Sequence, residues 1–203
     1  MLPVPVIRPQ TAYNCGTYSL WMALESLQGR NDGLIRKIED KAKMYSDSMG
    51  GIFNYVHMER IIQQLNFNCK KVQFHDQQSF NNALQNHPGS AILIAYSFSL
   101  LFPLAVGGDP GDLAHWSLLT GLNGANATIA NPHGEAQQFP VALLLQANLA
   151  LKTGTFNWKV FVENNQDDPL FQQELKKYKN DISELNKRGR SSIYLGGYFI
   201  AIQ

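Results

Sequence analysis

Residues 15–27 (Cys-Gly-Thr-Tyr-Ser-Leu-Trp-Met-Ala-Leu-Glu-Ser-Leu) are apolar or small at nearly every position, with no polar face. A helix of that kind is buried all round, so the pattern predicts a central helix. The next segments are amphipathic. Asn31-Asp32 supplies a cap for a helix running to about Tyr45, with Leu34, Ile35 and Ile38 on one face. Residues 46–54 contain Gly50-Gly51 and read as a loop. Residues 55–65 repeat Met58, Ile61, Ile62 and Leu65 at helical spacing. Residues 77–86 read as one more helix, ended by His87-Pro88-Gly89.

The period changes in the second half. Residues 91–96 (Ala-Ile-Leu-Ile-Ala-Tyr) form a short apolar run suited to a buried strand. Residues 115–122 and 126–130 flank Asn123-Gly124, a strong hairpin signal. Residues 158–162 and 193–202 read as two further strands. Between them, residues 169–186 repeat Leu170, Phe171, Leu175, Tyr178, Ile182 and Leu185 at helical spacing. Helices first and a largely antiparallel sheet second define an α+β fold. Without an internal repeat or a linker-like stretch, the 203 residues are expected to form a single domain. Its helical half spans about 1–88 and its sheet half about 89–203.

Composition narrows the function classes. A hydrophobic content of 44% supports a sizeable core, while a net charge of +1 with only 16% charged residues offers nucleic acid no basic surface. Residues 1–6 are broken by prolines and lack a basic start, which argues against a signal peptide. No apolar stretch nears the roughly 20 residues of a membrane span. The expected location is cytoplasmic, or a host cell reached by secretion without a cleavable signal. Cys15 and Cys69 allow one disulfide by arithmetic, but free thiols suit a chain without a secretory signal better. His57, His75 and His87 show no ligand spacing, so neither a metal nor another cofactor is expected.

Three short blocks carry chemistry. Gln10-Thr11-Ala12-Tyr13-Asn14-Cys15-Gly16 puts a cysteine where a turn-like stretch meets the start of the central helix. There the helix dipole and the first-turn N–H groups stabilise a thiolate. The Gln10 amide is placed to join the N–H of Cys15 in stabilising an oxyanion. Ala114-His115-Trp116 sets a histidine at the start of an apolar strand, and Ile129-Ala130-Asn131-Pro132-His133-Gly134 ends its hairpin partner. With the turn at Asn123-Gly124, residues near 115 and 131 face each other. Asn131 is then placed to accept a hydrogen bond from one imidazole nitrogen of His115, leaving the other to face Cys15. Nucleophile, base and orienting residue are the parts of a covalent acyl-transfer site. Cys69 is expected to be structural, Asp112 to belong to a turn, and His133 to point out of the hairpin. Residues 97–106 are apolar and read either as a core-covering loop or as a substrate rim beside His115. Phe98, Phe102 and Trp116 are the candidate substrate contacts.

The order Gln, Cys-Gly, His, Asn-Pro resembles that of the papain-like cysteine peptidases, in particular the bacteriocin-processing type and the actin maturation proteases. The former typically show Gln before Asp-Cys-Gly, then a His followed by Asp-Pro-x-Gly. Here His115 and Asn131-Pro132-His133-Gly134 follow that second pair, with Asn in place of Asp. The latter share the short Gln-to-Cys-Gly spacing and an Ala-His-Trp followed by a Thr-Gly or similar pair, here Ala114-His115-Trp116 and Thr120-Gly121. The resemblance implies a papain-like α+β fold that cleaves a peptide or protein amide bond without a cofactor. It assigns Cys15 as nucleophile, His115 as base and acid, Asn131 as orienting residue and Gln10 as oxyanion donor. With a different acceptor the same site serves a protein deamidase, transglutaminase or acyltransferase, including a secreted bacterial effector. A degenerate copy would be a binding module. Two departures stand out: Asn131 adds no negative charge beside the imidazole, and Gln10 lies one residue nearer to Cys15 than in papain-like enzymes generally.

Overall fold

The computed structural model describes residues 6–8, 10, 14–45, 51–101, 111, 114–177 and 181–203. Along the chain run α1 (Cys15–Gln28), α2 (Leu34–Ala42), α3 (Tyr55–Gln64), β1 (Cys69–Gln73), α4 (Gln77–Gln85), β2 (Ala91–Ser97) and the single turn α5 (Phe98–Leu101). Then follow β3 (Ala114–Asn123), β4 (Asn126–Asn131), β5 (Glu135–Pro140), α6 (Val141–Leu149) and a 3-10 turn at Ala150–Lys152. The chain ends with β6 (Thr155–Asn157), α7 (Trp158–Asn165), α8 (Pro169–Lys177), α9 (Ile182–Lys187), β7 (Arg190–Ser192) and β8 (Tyr198–Ile202).

Six strands form one sheet in the order β1-β8-β2-β3-β4-β5, every neighbouring pair antiparallel. β2 is buried at all seven positions because both of its faces are covered. Leu93 and Ala95 join one core with α1 and α3, while Ile92, Ile94 and Tyr96 join a second with Phe80 of α4 and Val141, Leu144 and Leu145 of α6. That double burial explains the continuous apolar run of β2. β6 and β7 form a separate two-stranded ribbon.

The central helix is present as the sequence implies, with Gly16 through Ser26 buried. It packs on β2 and β3, and the Ser19 hydroxyl donates to the Trp116 carbonyl at 2.9 Å. A Cβ on Gly16 would lie 3.1 Å from Trp116 Cδ1 and 3.2 Å from Ile52 Cδ1. Glycine after Cys15 is therefore what lets the start of α1 approach the sheet. Upstream of α1, the Arg8 guanidinium forks onto Glu25 at 2.8 and 3.1 Å and reaches Asp32 at 2.6 Å. It also lies 4.2 Å over the Trp21 ring, fastening the approach segment to the helix.

Several elements depart from the sequence pattern. Residues 158–162, read as a strand, begin helix α7: Asn157 caps it by accepting from the Val160 N–H, and Trp158 and Val162 recur on its buried face one turn apart. The helix expected over 169–186 is two helices, with Asp181 starting the second by accepting from the Ser183 N–H at 2.6 Å. Tyr178 lies outside the described residues. The terminal strand is shorter than 193–202, because Gly196-Gly197 turns the chain and Gly197 takes φ +80°. β1 and β5 are edge strands with mixed burial and no apolar run, which left them invisible to periodicity. α6 follows β5 without a break.

Candidate active site

The site is assembled at the end of the sheet where β2 finishes and β3 begins. Cys15 is the first residue of α1, half-buried against the core on that helix's side. The residue before it, Asn14, occupies the N-cap but makes no capping hydrogen bond, and its buried side-chain oxygen and nitrogen have no hydrogen-bond partner among the described residues. The usual side-chain cap that would occupy the first-turn N–H groups is thus withheld at Cys15.

His115 is the second residue of β3 and is buried at 6% exposure. Its Nε2 lies 3.0 Å from Asn131 Oδ1, at the end of β4. Asn131 is itself fixed. Its Nδ2 donates to the Tyr96 hydroxyl at 3.4 Å and to Gln137 Oε1 at 3.3 Å, and its Oδ1 also accepts the His133 backbone N–H at 3.0 Å. The Tyr96 hydroxyl in turn pairs with Ser117 Oγ at 3.1 Å. The Tyr96 ring meets the His115 ring edge-on, centroids 5.6 Å apart. Burial drives the Tyr96 phenol far above its ordinary range, and negative charge on Cys15 pushes it the same way, which ties the sulfur electrostatically to the same cluster. Burial, then the neighbouring His133, pushes the His115 pKa down to about 3, against the opposing Asn131 hydrogen bond. The imidazole is consequently neutral at pH 7 unless a negative charge forms beside it.

Gln10 is fastened to the same turn, its backbone N–H donating to the Pro132 carbonyl. Its Oε1 is buried with no hydrogen-bond partner among the described residues. A buried amide left unpaired costs about 1–3 kcal/mol, so an orphaned group of this kind marks a place for a ligand group or a water.

The structure brings Asn131 onto His115 and Gln10 onto the adjacent turn, while two other expectations change. Trp116 is 1% exposed, its Nε1 donates to the Ile52 carbonyl at 2.8 Å, and it packs on Gly16. It is a core residue between α1 and the sheet, not a substrate contact, because strand alternation turns it away from the His115 face. His133 does not point away from the site. Its ring stacks on His115 with centroids 4.7 Å apart and planes at 6°. In the hairpin Leu118 pairs with Ala130, and an irregularity at Thr120 shifts the register by one residue. Past Asn131 the chain turns through 132–134 into β5, and that turn carries His133 back against His115. Phe98 is half-buried and edge-on to both histidine rings, at 5.6 and 5.4 Å. Phe102 and Asp112 lie outside the described residues. Tyr96, Ser117 and Gln137 were not singled out by sequence, since only strand pairing places them here.

Neither Cys69 nor Cys15 is in a disulfide. The Cys69 pKa is pushed up to about 11 by burial and by Glu59, and its sulfur lies 3.7 Å from the Glu59 carbonyl. Among the described residues no group of three or more His, Cys, Asp or Glu is arranged to hold a metal ion. No helix among them is long and apolar enough to cross a membrane.

The fold has solved counterparts. A putative C39-like peptidase from Bacillus anthracis superposes with a TM-score of 0.51 at 14% identity, covering 71% of this chain and 88% of that one. The peptidase domain of Streptococcus ComA, a bi-functional ABC transporter involved in a quorum sensing pathway, gives 0.50 at 14% identity, covering 69% and 89%. The architecture is the α+β fold of papain-like cysteine peptidases. The family model for the actin maturation protease-like C-terminal domain matches residues 6–123, more than half of the chain. The chain belongs to that family. The matched region includes Gln10, Cys15 and His115 and ends before Asn131. No curated protein matches the sequence.

Proposed function

We propose that the protein is a cysteine peptidase that hydrolyses a peptide or protein amide bond through a thioester on Cys15. The observation that carries this reading is the 3.0 Å contact between His115 Nε2 and Asn131 Oδ1. It orients the imidazole with one nitrogen and leaves Nδ1 to exchange protons with the thiol. Family membership and the peptidase fold support it.

In this reading the sulfur attacks the carbonyl carbon as its proton passes to Nδ1 of His115. Attack creates an oxyanion, for which the Cys15 N–H and the Gln10 amide are the donors. The proton on Nδ1 then goes to the leaving amine, and water hydrolyses the thioester with His115 as base. Because burial disfavours the imidazolium, charge separation is favoured only while thiolate and imidazolium form together. Asn131 orients the ring without supplying a compensating charge. Phe98 is the described member of an apolar rim beside the base.

The test is turnover of an internally quenched peptide library, followed by mass spectrometry of the protein after acid quench. Hydrolysis that disappears in Cys15→Ala and His115→Ala, with an acyl adduct mapped to Cys15, supports the reading. Hydrolysis that persists in Cys15→Ala overturns it.

A further inference from the structure

The hairpin brings a second histidine onto the candidate base. The two imidazole planes are parallel to within 6° at 4.7 Å, and Phe98 closes one edge of the stack. The backbone N–H of His133 shares the oxygen of Asn131 that engages His115. One amide oxygen therefore fixes both the ring of His115 and the turn that carries His133. This is a built arrangement, because Pro132 and the hydrogen bond from the Gly134 N–H to the Asn131 carbonyl at 3.0 Å set the turn.

Resting on the peptidase reading above, we propose that His133 is a positioning residue for His115. In its neutral form it holds the base by stacking; in its protonated form it prevents His115 from accepting the thiol proton of Cys15. The step concerned breaks the S–H bond of Cys15 and forms N–H at Nδ1 of His115. Before that step the stacked pair carries no charge when His133 is neutral, and afterwards it carries one. With His133 protonated the same step would put two positive rings face to face at 4.7 Å, the His115 ring buried and the His133 ring open to solvent on its outer side. Such like-charge contact disfavours the second protonation. Among the described residues, the elements that carry the pair and its neighbours also bear titratable groups at Cys15 of α1, Tyr96 of β2 and Glu135 of β5. Tyr96 is held neutral by burial. Glu135 is exposed and hydrogen-bonds to Gln137 Nε2 at 3.2 Å. A thiolate on Cys15 favours protonation of either ring, and the hydrogen bond that Asn131 Oδ1 accepts from His115 Nε2 favours His115 as the proton acceptor. Partial burial lowers the His133 pKa from its ordinary value, so His133 is neutral at pH 7 and takes up its proton in acid.

The experiment is a ring titration of His115 by two-dimensional NMR in the full chain, wild type against His133→Phe and His133→Lys. Circular dichroism of each variant monitors the fold. Phe keeps the stack and removes the second charge, so the His115 midpoint should rise, by about one pH unit for a neighbour this close. Lys keeps a cation at every pH used, so the midpoint should fall or drop out of range. Shifts of opposite sign identify electrostatic coupling, since loosened packing would move both variants the same way. An unchanged His115 midpoint in His133→Phe, or a shift in one direction for both variants, overturns the proposal. Rates of iodoacetamide modification at Cys15 in the same samples read the peptidase claim separately. An inert Cys15 with coupled histidines removes the peptidase reading alone, whereas a reactive Cys15 with uncoupled histidines removes only the role of His133.

Discussion

At the scale of single residues, the proposed chemistry hinges on how little helps His115 to carry a charge. Burial and a second histidine act against the imidazolium, and Asn131 offers only a neutral oxygen. Asn131→Asp places a carboxylate on Nε2 and should raise the His115 midpoint by about one pH unit or more, read by the same ring titration. Gln10 carries the opposite kind of expectation. If its amide completes the oxyanion site, Gln10→Ala should lower kcat roughly 100-fold, or about 3 kcal/mol of barrier, with little change in KM. Cys15, Gln10, His115 and Asn131 could be put forward as candidates from the sequence because their types and order suggest the chemistry by themselves. The contact of His133 with His115 could not, because it depends on how the turn after β4 folds back on the sheet, which no local residue preference announces. Trp116 was misjudged for a simpler reason: adjacency to His115 in sequence is opposition across a strand.

At the scale of elements, apolar periodicity worked where both faces are covered and failed at the edges. α1 and β2 are buried nearly throughout, so their patterns are unambiguous. β1 and β5 alternate between half-burial and exposure with Lys, Gln and Glu among their residues, and nothing but pairing defines them. α7 was read as a strand because five residues rich in Val and aromatics suit either geometry, and the Asn157 cap decided the outcome. Two elements depend on buried polar fasteners. Arg8 is the described partner that neutralises Glu25, which is 5% exposed. Arg8→Met should cost about 3–5 kcal/mol by stranding that carboxylate, measured by urea unfolding. It should also lower peptidase activity, since Arg8 anchors the segment leading to Gln10. Asn148 of α6 accepts the Gly197 N–H at 2.7 Å and donates to the Ala95 carbonyl at 2.7 Å. Asn148→Ala should destabilise the protein by about 3 kcal/mol, because it leaves buried backbone groups at the start of β8 and in β2 unpaired.

At the scale of the whole molecule, the buried histidine ties stability to pH. His115 titrates near 3 when folded against an ordinary 6.5 when unfolded. As pH falls below about 6.5 the unfolded chain takes up the proton first, so stability is full above that value and declines toward pH 3. His133, also lowered by burial, acts in the same direction. The exposed carboxylates Asp32, Asp40 and Asp76 are held below 3.8 and contribute in more acid solution. Urea midpoints between pH 7 and pH 4.5 therefore isolate the histidines, and His115→Phe should flatten that dependence.

The α+β class was readable from the chain, but a clean order of helices before sheet is not what the fold adopts: β1 lies within the first 88 residues and α5 to α9 are interleaved with the strands of the second half. The crossing order β1-β8-β2 was not readable, since it joins strands more than a hundred residues apart. That pairing also fixes the sheet end at which β2, β3 and the N-terminus of α1 meet.

The central claim is that this meeting point activates Cys15, and the two thiols of the chain provide their own control. Limiting iodoacetamide is applied to the native protein from pH 5 to pH 9, and modification is mapped by mass spectrometry. Cys69, with its thiol pushed up to about 11, should stay nearly unlabelled at pH 7. Cys15 should be labelled at least about tenfold faster than Cys69, and that advantage should vanish in His115→Ala. Equal, slow labelling of both cysteines in the wild-type protein would contradict the account.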